Sequence, residues 1–179
     1  MPDKTLTVKK ILIVIPPTQY HDEEFLETRK TLTDDGATII VASTAVRTCR
    51  GMNGAAVQSD VAIADVKIEE YDALVLCGGS SVPEFFWKDK KLIEITGQAA
   101  AAGKVVAAIS LSTVVLAKAK LLAGQKATVY FLPRAIDELK EAGATYVQKT
   151  LLVSNNLIMA EGPPQAAEFA AAIRAKLSS

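Results

Sequence analysis

Residues 103–124 read GKVVAAISLSTVVLAKAKLLAG. Five apolar residues, Val105–Ile109, form a strand-like run that ends at Ser110. A helix-period segment, Leu111, Val114, Val115 and Ala119, follows with almost no loop between. A strand that turns at once into a helix leaves no room for bulk two residues either side of the turn. Ala108 and Ser112 occupy those places. This is the pattern of a nucleophile elbow, which holds one side chain at the carboxyl edge of a sheet. The glycines of G-x-S-x-G are here Ala and Ser, so the expectation rests on the surrounding segments as well.

Those segments alternate in type. Ile11–Ile15 reads as a buried strand ended by Pro16-Pro17. A helix is expected from Asp22 to Asp35, with Phe25, Leu26, Arg29 and Leu32 at helical spacing and Gly36 as its C-cap. Thr38–Ala42 is a second strand, and 46–60 is a hairpin-like excursion around Gly51-Met52-Asn53-Gly54. Ala73–Leu76 is a strand ended by Gly78-Gly79, and 90–102 is a helix with Leu92, Ile93 and Ile95 on its apolar side. Beyond the elbow helix, short strands are expected at 128–130, 145–148, 151–153 and 157–160. A helix spans 133–142, and a terminal helix opens at Gly162-Pro163-Pro164 and runs to Leu177. Apolar strands alternating with helices imply a three-layer α/β/α sandwich around a mostly parallel sheet. Sites in such sheets form beyond the carboxyl ends of the strands. Pro16–Glu24, Cys77–Ser81 and Ser110–Thr113 meet that rule.

The chain has 179 residues, half of them hydrophobic, enough for one domain with a substantial core. Its 20 basic and 20 acidic residues balance without blocks of one sign, so neither nucleic acid nor a membrane is an expected partner. The run Ile11–Ile15 is too short for a signal peptide or a spanning helix. Two cysteines make no disulfide framework, and a reducing cytoplasm is the default location. One histidine and two separated cysteines argue against structural zinc. Neither glycine cluster forms a dinucleotide or phosphate loop, so no cofactor is expected.

The segments ILIVIPP, YDALVLCGG, GKVVAAIS, LAKAKLLAGQKAT, AGATYV and LIMAEGPPQAAEFAAAI, with Glu24 twelve residues before Gly36, resemble the ThiJ/PfpI superfamily. The resemblance covers nearly the whole chain. It implies a flavodoxin-like fold related to class I glutamine amidotransferases, and a homodimer. It also implies that Glu24 is the acidic residue that sits, usually protonated, against the family's cysteine. The elbow departs from the family. Where members usually read Ala-Ile-Cys-His-Gly-Pro, this chain reads Ala108-Ile109-Ser110-Leu111-Ser112-Thr113. The thiol has become a hydroxyl, which needs a base beside it to react, and the neighbouring imidazole has become leucine. Hydrolysis, glyoxalase-like conversion and peroxide sensing through the cysteine do not carry over. Ala160-Glu161 also replaces the polar pair that often precedes Gly-Pro, a change expected to alter the charge at the pocket.

Each candidate residue has a chemical and a structural reading. Ser110 is either a nucleophile, with an oxyanion hole from the Leu111 N–H and one N–H of the Gly78-Gly79 turn, or a relic that hydrogen-bonds locally. His21, the chain's one imidazole, is either a base completing a Ser110–His21–Glu24 group or an ordinary residue at a helix start. Glu24 either bonds the Ser110 hydroxyl, with a raised pKa, or lies on a helix face. Cys77 is a displaced thiol or a small buried hydrophobe. Cys49, between Arg47 and Arg50, is an oxidation target or a surface-loop residue without a role. Phe85-Phe86-Trp87 lines a pocket, a dimer contact or the core. Two function classes remain: a divergent member that binds a small ligand or a partner, and a serine-dependent hydrolase of a small acyl or amide substrate.

Overall fold

The computed structural model describes residues 5–179. In chain order the elements are β1 (Lys10–Val14), β2 (Thr18–Tyr20), α1 (Asp22–Asp34), β3 (Thr38–Ser43), β4 (Thr48–Gly51), β5 (Ala56–Gln58) and β6 (Val61–Ala62). Next come β7 (Ala73–Leu76), α2 (Val82–Phe85), α3 (Lys90–Ala101), β8 (Val105–Ile109) and α4 (Thr113–Lys118). The last are β9 (Lys126–Ala127), α5 (Pro133–Glu141), β10 (Thr145–Tyr146), β11 (Leu151–Ser154), β12 (Leu157–Ala160) and α6 (Ala166–Leu177). No helix among the described residues is long and apolar enough to cross a membrane.

Seven strands form the central sheet in the order β11-β12-β8-β7-β1-β3-β6. All neighbours run parallel except β11, which pairs antiparallel with β12. Alternation along each strand supplies two cores, because successive side chains point to opposite faces. Leu12 and Val14 of β1 face a cluster with Leu92 and Ile95 of α3, Val114 of α4 and Leu139 of α5. Ile11 and Ile13 face the other cluster, with Phe25 and Leu32 of α1 and Phe169 and Ile173 of α6. The sheet is covered on both faces, so its strands read as continuous apolar runs. This is the flavodoxin-like α/β fold.

Strand order reverses at β1, whose neighbours are β3 and β7. The chain fills the sheet outward through β3 and β6, then crosses back to β7 and continues through β8. A crevice at the carboxyl ends follows from that reversal. A second, three-stranded sheet, β2-β4-β5, stands beside the crevice. The turn signal at 51–54 therefore does make a hairpin, with β4 and β5 antiparallel.

Several local expectations are corrected. Leu26 of α1 is 48% exposed, because α6 covers only the Phe25–Leu32 side of that helix. Residues 128–130 form no strand; the short parallel pairing falls earlier, between β9 and β10. The two-residue strand β6, the three-residue β2 and the one-turn helix α2 were not expected. Each is too short to show a period. Cys49 lies in β4 and is fully buried, not on a surface loop. Phe86 and Trp87 belong to the core.

The hairpin is tied to the main domain by Asp22, the first residue of α1. Its carboxylate accepts the backbone N–H groups of Asn53 and Ala55, each at 2.8 Å. Asp22→Ala leaves both donors without this acceptor, and hydrogen bonds to a charged group contribute about 1.5–3 kcal/mol. Urea denaturation should register a loss of about that size, and proteolysis should cut first within 50–57.

Candidate active site at the carboxyl edge of the sheet

Ser110 sits at the carboxyl end of β8, between β7 and β12 in the sheet. Its φ is 61°, in the left-handed region that costs a non-glycine residue about 1–2 kcal/mol. A single turn of 3₁₀ helix, Ser110–Ser112, leads into α4. Two side chains hold this turn. Ser112 Oγ donates to the Cys77 carbonyl at 2.6 Å, and the Trp87 indole N–H donates to the Leu111 carbonyl at 3.0 Å. Ala108 and Ser112 are both fully buried, so only small residues fit there.

The β7 turn comes against the elbow without clearance. A Cβ at Gly78 would lie 2.5 Å from Ser110 Cβ, 2.9 Å from Ser110 Oγ and 2.7 Å from Glu24 Oε2. The hydroxyl of Ser110 and the carboxyl of Glu24 thus flank one point in space. The Gly78 N–H donates to Glu24 Oε2 at 2.6 Å, and its carbonyl accepts the His21 N–H at 3.0 Å. Gly79 has φ 141°, and a Cβ there would overlap the backbone of Gln19 and Tyr20, with which it forms a bridge. These two glycines let three chain segments meet at backbone distance. The N–H of Gly78 is spent on Glu24, so of the two N–H groups in this turn only that of Gly79 is left to serve beside the Leu111 N–H as the expected oxyanion-hole donor.

Glu24 is fully buried, and burial raises its pKa to about 8. The Gly78 hydrogen bond opposes that shift without cancelling it, and the charge of Glu23 adds to it. At neutral pH Glu24 therefore carries its proton. Its Oε1 has no hydrogen-bond partner. His21 caps the start of α1 in extended conformation, and its Nδ1 is buried without a partner. No hydrogen bond joins the side chains of Ser110, His21 and Glu24 among the described residues. The three sequence candidates converge, but not as a hydrogen-bonded relay.

A cavity of about 390 Å³ opens over Ser110 and Leu111. His21, Gly79 and Ser80 help line it, and Met52, Pro83, Tyr130, Leu132 and Pro163 complete it. Met52 and Tyr130 are about half exposed at the mouth. These apolar walls could not be assigned from sequence. Met52 is carried in by the β4–β5 hairpin and Tyr130 by an irregular segment. Glu161 does not line the cavity; its charge acts on Tyr146, whose pKa burial and Glu161 together raise. Cys77 is fully buried, and burial, with Glu24 nearby, pushes its thiol well above the ordinary value. No group of three or more His, Cys, Asp or Glu side chains suited to a metal ion occurs among the described residues.

Residues 9–176 match the DJ-1/PfpI family, and the chain belongs to it. It is 42% identical over 160 residues to an uncharacterized protein of Methanocaldococcus jannaschii, covering 89% of this chain and 78% of that one. It is 30% identical over 152 residues to a deglycase of Pyrococcus abyssi, covering 85% and 90%. Among solved structures it is similar to a ThiJ/PfpI domain protein from Brachyspira murdochii, with a TM-score of 0.88, 27% identity and coverage of 94% and 95%. Drosophila melanogaster DJ-1beta gives a TM-score of 0.84 at 26% identity, covering 95% and 90%.

Two measurements check this geometry. Gly78→Ala should cost about 1–3 kcal/mol by overpacking, read by urea denaturation, since Ser110 and Glu24 cannot both retreat. Glu24 makes stability pH-dependent. Its folded pKa, about 8, exceeds the ordinary value of 4.5, so the folded state holds a proton that the unfolded state has released. The associated stability is complete below the ordinary value and is lost as pH rises through the folded one. The unfolding free energy of the wild type minus that of Glu24→Gln should therefore fall steadily from about pH 5 to about pH 8 and level off above. A difference independent of pH contradicts a protonated Glu24.

Proposed function

We propose that this protein binds a small molecule in the cavity over Ser110 and performs none of the cysteine chemistry of its family. The supporting observation is the state of the elbow. The position that carries a thiol in the family carries Ser110, held at φ 61° with Leu111 beside it. A serine hydroxyl stays protonated at neutral pH unless a base takes its proton. Glu24, beside it, is itself protonated and cannot act as that base. The chain's two cysteines, Cys49 and Cys77, are fully buried and do not line the cavity. What remains is a shaped cavity of about 390 Å³, within the size range of small-ligand sites. Relatives in this family are named as deglycases and as a glutathione-independent glyoxalase, and those activities belong to those proteins.

A second reading has one observation in its favour. His21 lines the same cavity as Ser110, and its Nδ1 is unpartnered. Movement of the imidazole onto the hydroxyl would make a serine hydrolase of a small ester or amide.

The deciding assay uses methylglyoxal and p-nitrophenyl acetate with wild type, Ser110→Ala, Ser110→Cys and His21→Ala. Methylglyoxal consumption should be at background for wild type and Ser110→Ala alike. Ser110→Cys should become alkylated by iodoacetamide faster than wild type. Ester turnover that disappears in both Ser110→Ala and His21→Ala would replace the binding reading with the hydrolase.

A further inference from the structure

The cavity's lining says what kind of molecule it takes, an inference that rests on the binding function above. No lysine, arginine, aspartate or glutamate lines it among the described residues. Leu111, Leu132 and Pro83 give it apolar walls, and Met52 and Tyr130, half exposed, extend the apolar surface to the mouth. The Tyr130 ring lies against Gly162, where an added Cβ would come within 3.3 Å of it, so the ring backs onto the chain beside Pro163. The cavity's polar side chains are few: Ser110, Ser80, His21 and the Tyr130 hydroxyl. Ser110 Oγ makes no hydrogen bond among the described residues, so its donor and acceptor capacity is open to a ligand. Ser80 and His21 line the same cavity.

This distribution discriminates by charge. A carboxylate moved into an apolar cavity loses its hydration and needs a compensating charge as well as hydrogen bonds. The donors here, Ser110, the Tyr130 hydroxyl and the Gly79 and Leu111 N–H groups, are neutral, and no lysine or arginine joins them. Two titratable side chains stand on the wall, His21 and the Tyr130 phenol, and the Glu24 carboxyl lies against Ser110 across Gly78. A neutral carbonyl or hydroxyl needs only one or two hydrogen bonds, which Ser110 can supply while the rest of the molecule fills the apolar walls. We infer that the cavity takes an uncharged, mainly apolar small molecule whose single carbonyl or hydroxyl group bonds Ser110 Oγ, and that it rejects the corresponding carboxylates.

Phenylacetamide and phenylacetate are nearly equal in shape and differ in charge. Their binding to the full chain at pH 7 can be followed by calorimetry and by the fluorescence of Trp87. This residue is the single tryptophan, and its indole N–H holds the Leu111 carbonyl. Phenylacetamide should bind at least about tenfold more tightly than phenylacetate, because the unpaired charge loses its hydration. Ser110→Ala should weaken the amide by about threefold to tenfold, the range for one hydrogen bond. Met52→Arg, at the exposed mouth, should raise phenylacetate affinity and narrow the gap. Equal or tighter binding of phenylacetate by the wild type overturns the inference, and its loss in His21→Gln would assign that affinity to the imidazole. Absence of binding by both compounds overturns it as well. Methylglyoxal turnover dependent on Ser110 would instead overturn the binding function, leaving the ranking of the two compounds to stand or fall separately.

Discussion

The site depends on one close approach: the backbone of Gly78 lies between the side chains of Glu24 and Ser110. Its N–H is taken by Glu24 Oε2 at 2.6 Å and its carbonyl by the His21 N–H at 3.0 Å. These bonds dock the start of α1 onto the end of β7, and the missing Cβ lets the end of β8 close against both. Everything at the carboxyl edge is then over-determined. Ser112 holds the elbow to the Cys77 carbonyl just past β7, and the Trp87 indole holds it at the Leu111 carbonyl. Strain in the Ser110 backbone persists because so many bonds would have to break to release it.

That docking also decides the electrostatics. Burial beside the turn keeps Glu24 protonated, so it acts as a hydrogen-bonding wall and not as a counter-ion. Cys77, one residue before the glycine pair, is sealed into the same junction, and its thiol resists ionisation. The elbow thus carries the Ser110 hydroxyl at φ 61°, with no side-chain hydrogen bond to His21 or Glu24 among the described residues. A strained elbow can be retained for packing and ligand contact, because a fold and its chemistry are separable.

Away from the elbow, the β4–β5 hairpin is the second constraint. Asp22 fastens it from the first turn of α1, where a carboxylate also suits the helix dipole. Tyr20 adds a bond from its hydroxyl to the Ala55 carbonyl at 3.0 Å, and burial raises its pKa to about 12, so it remains a donor. The hairpin thereby brings Met52 to the mouth of the cavity. The shape of the cavity over Ser110 is set by an excursion outside the main sheet, fixed by the same helix that carries Glu24 and starts after His21.

The sequence by itself determined the layers and the edge on which the site lies. Long apolar runs such as Val105–Ile109 leave no alternative to buried parallel strands, and glycines following β7 mark where the chain must turn. That Pro16–Glu24, Cys77–Ser81 and Ser110–Thr113 share one edge was legible because each follows the carboxyl end of a strand in a mostly parallel sheet. The short pieces were not legible: β2, β6 and α2 are too brief to carry a period, and 128–130 owes its irregular path to neighbours distant in sequence. Tertiary structure alone decided which atoms are satisfied. Hydrogen bonds form over about 3 Å, far finer than any spacing rule resolves. So only the folded chain shows the Gly78 N–H committed to Glu24, His21 Nδ1 unpartnered, and Met52 and Tyr130 closing an uncharged cavity over Ser110.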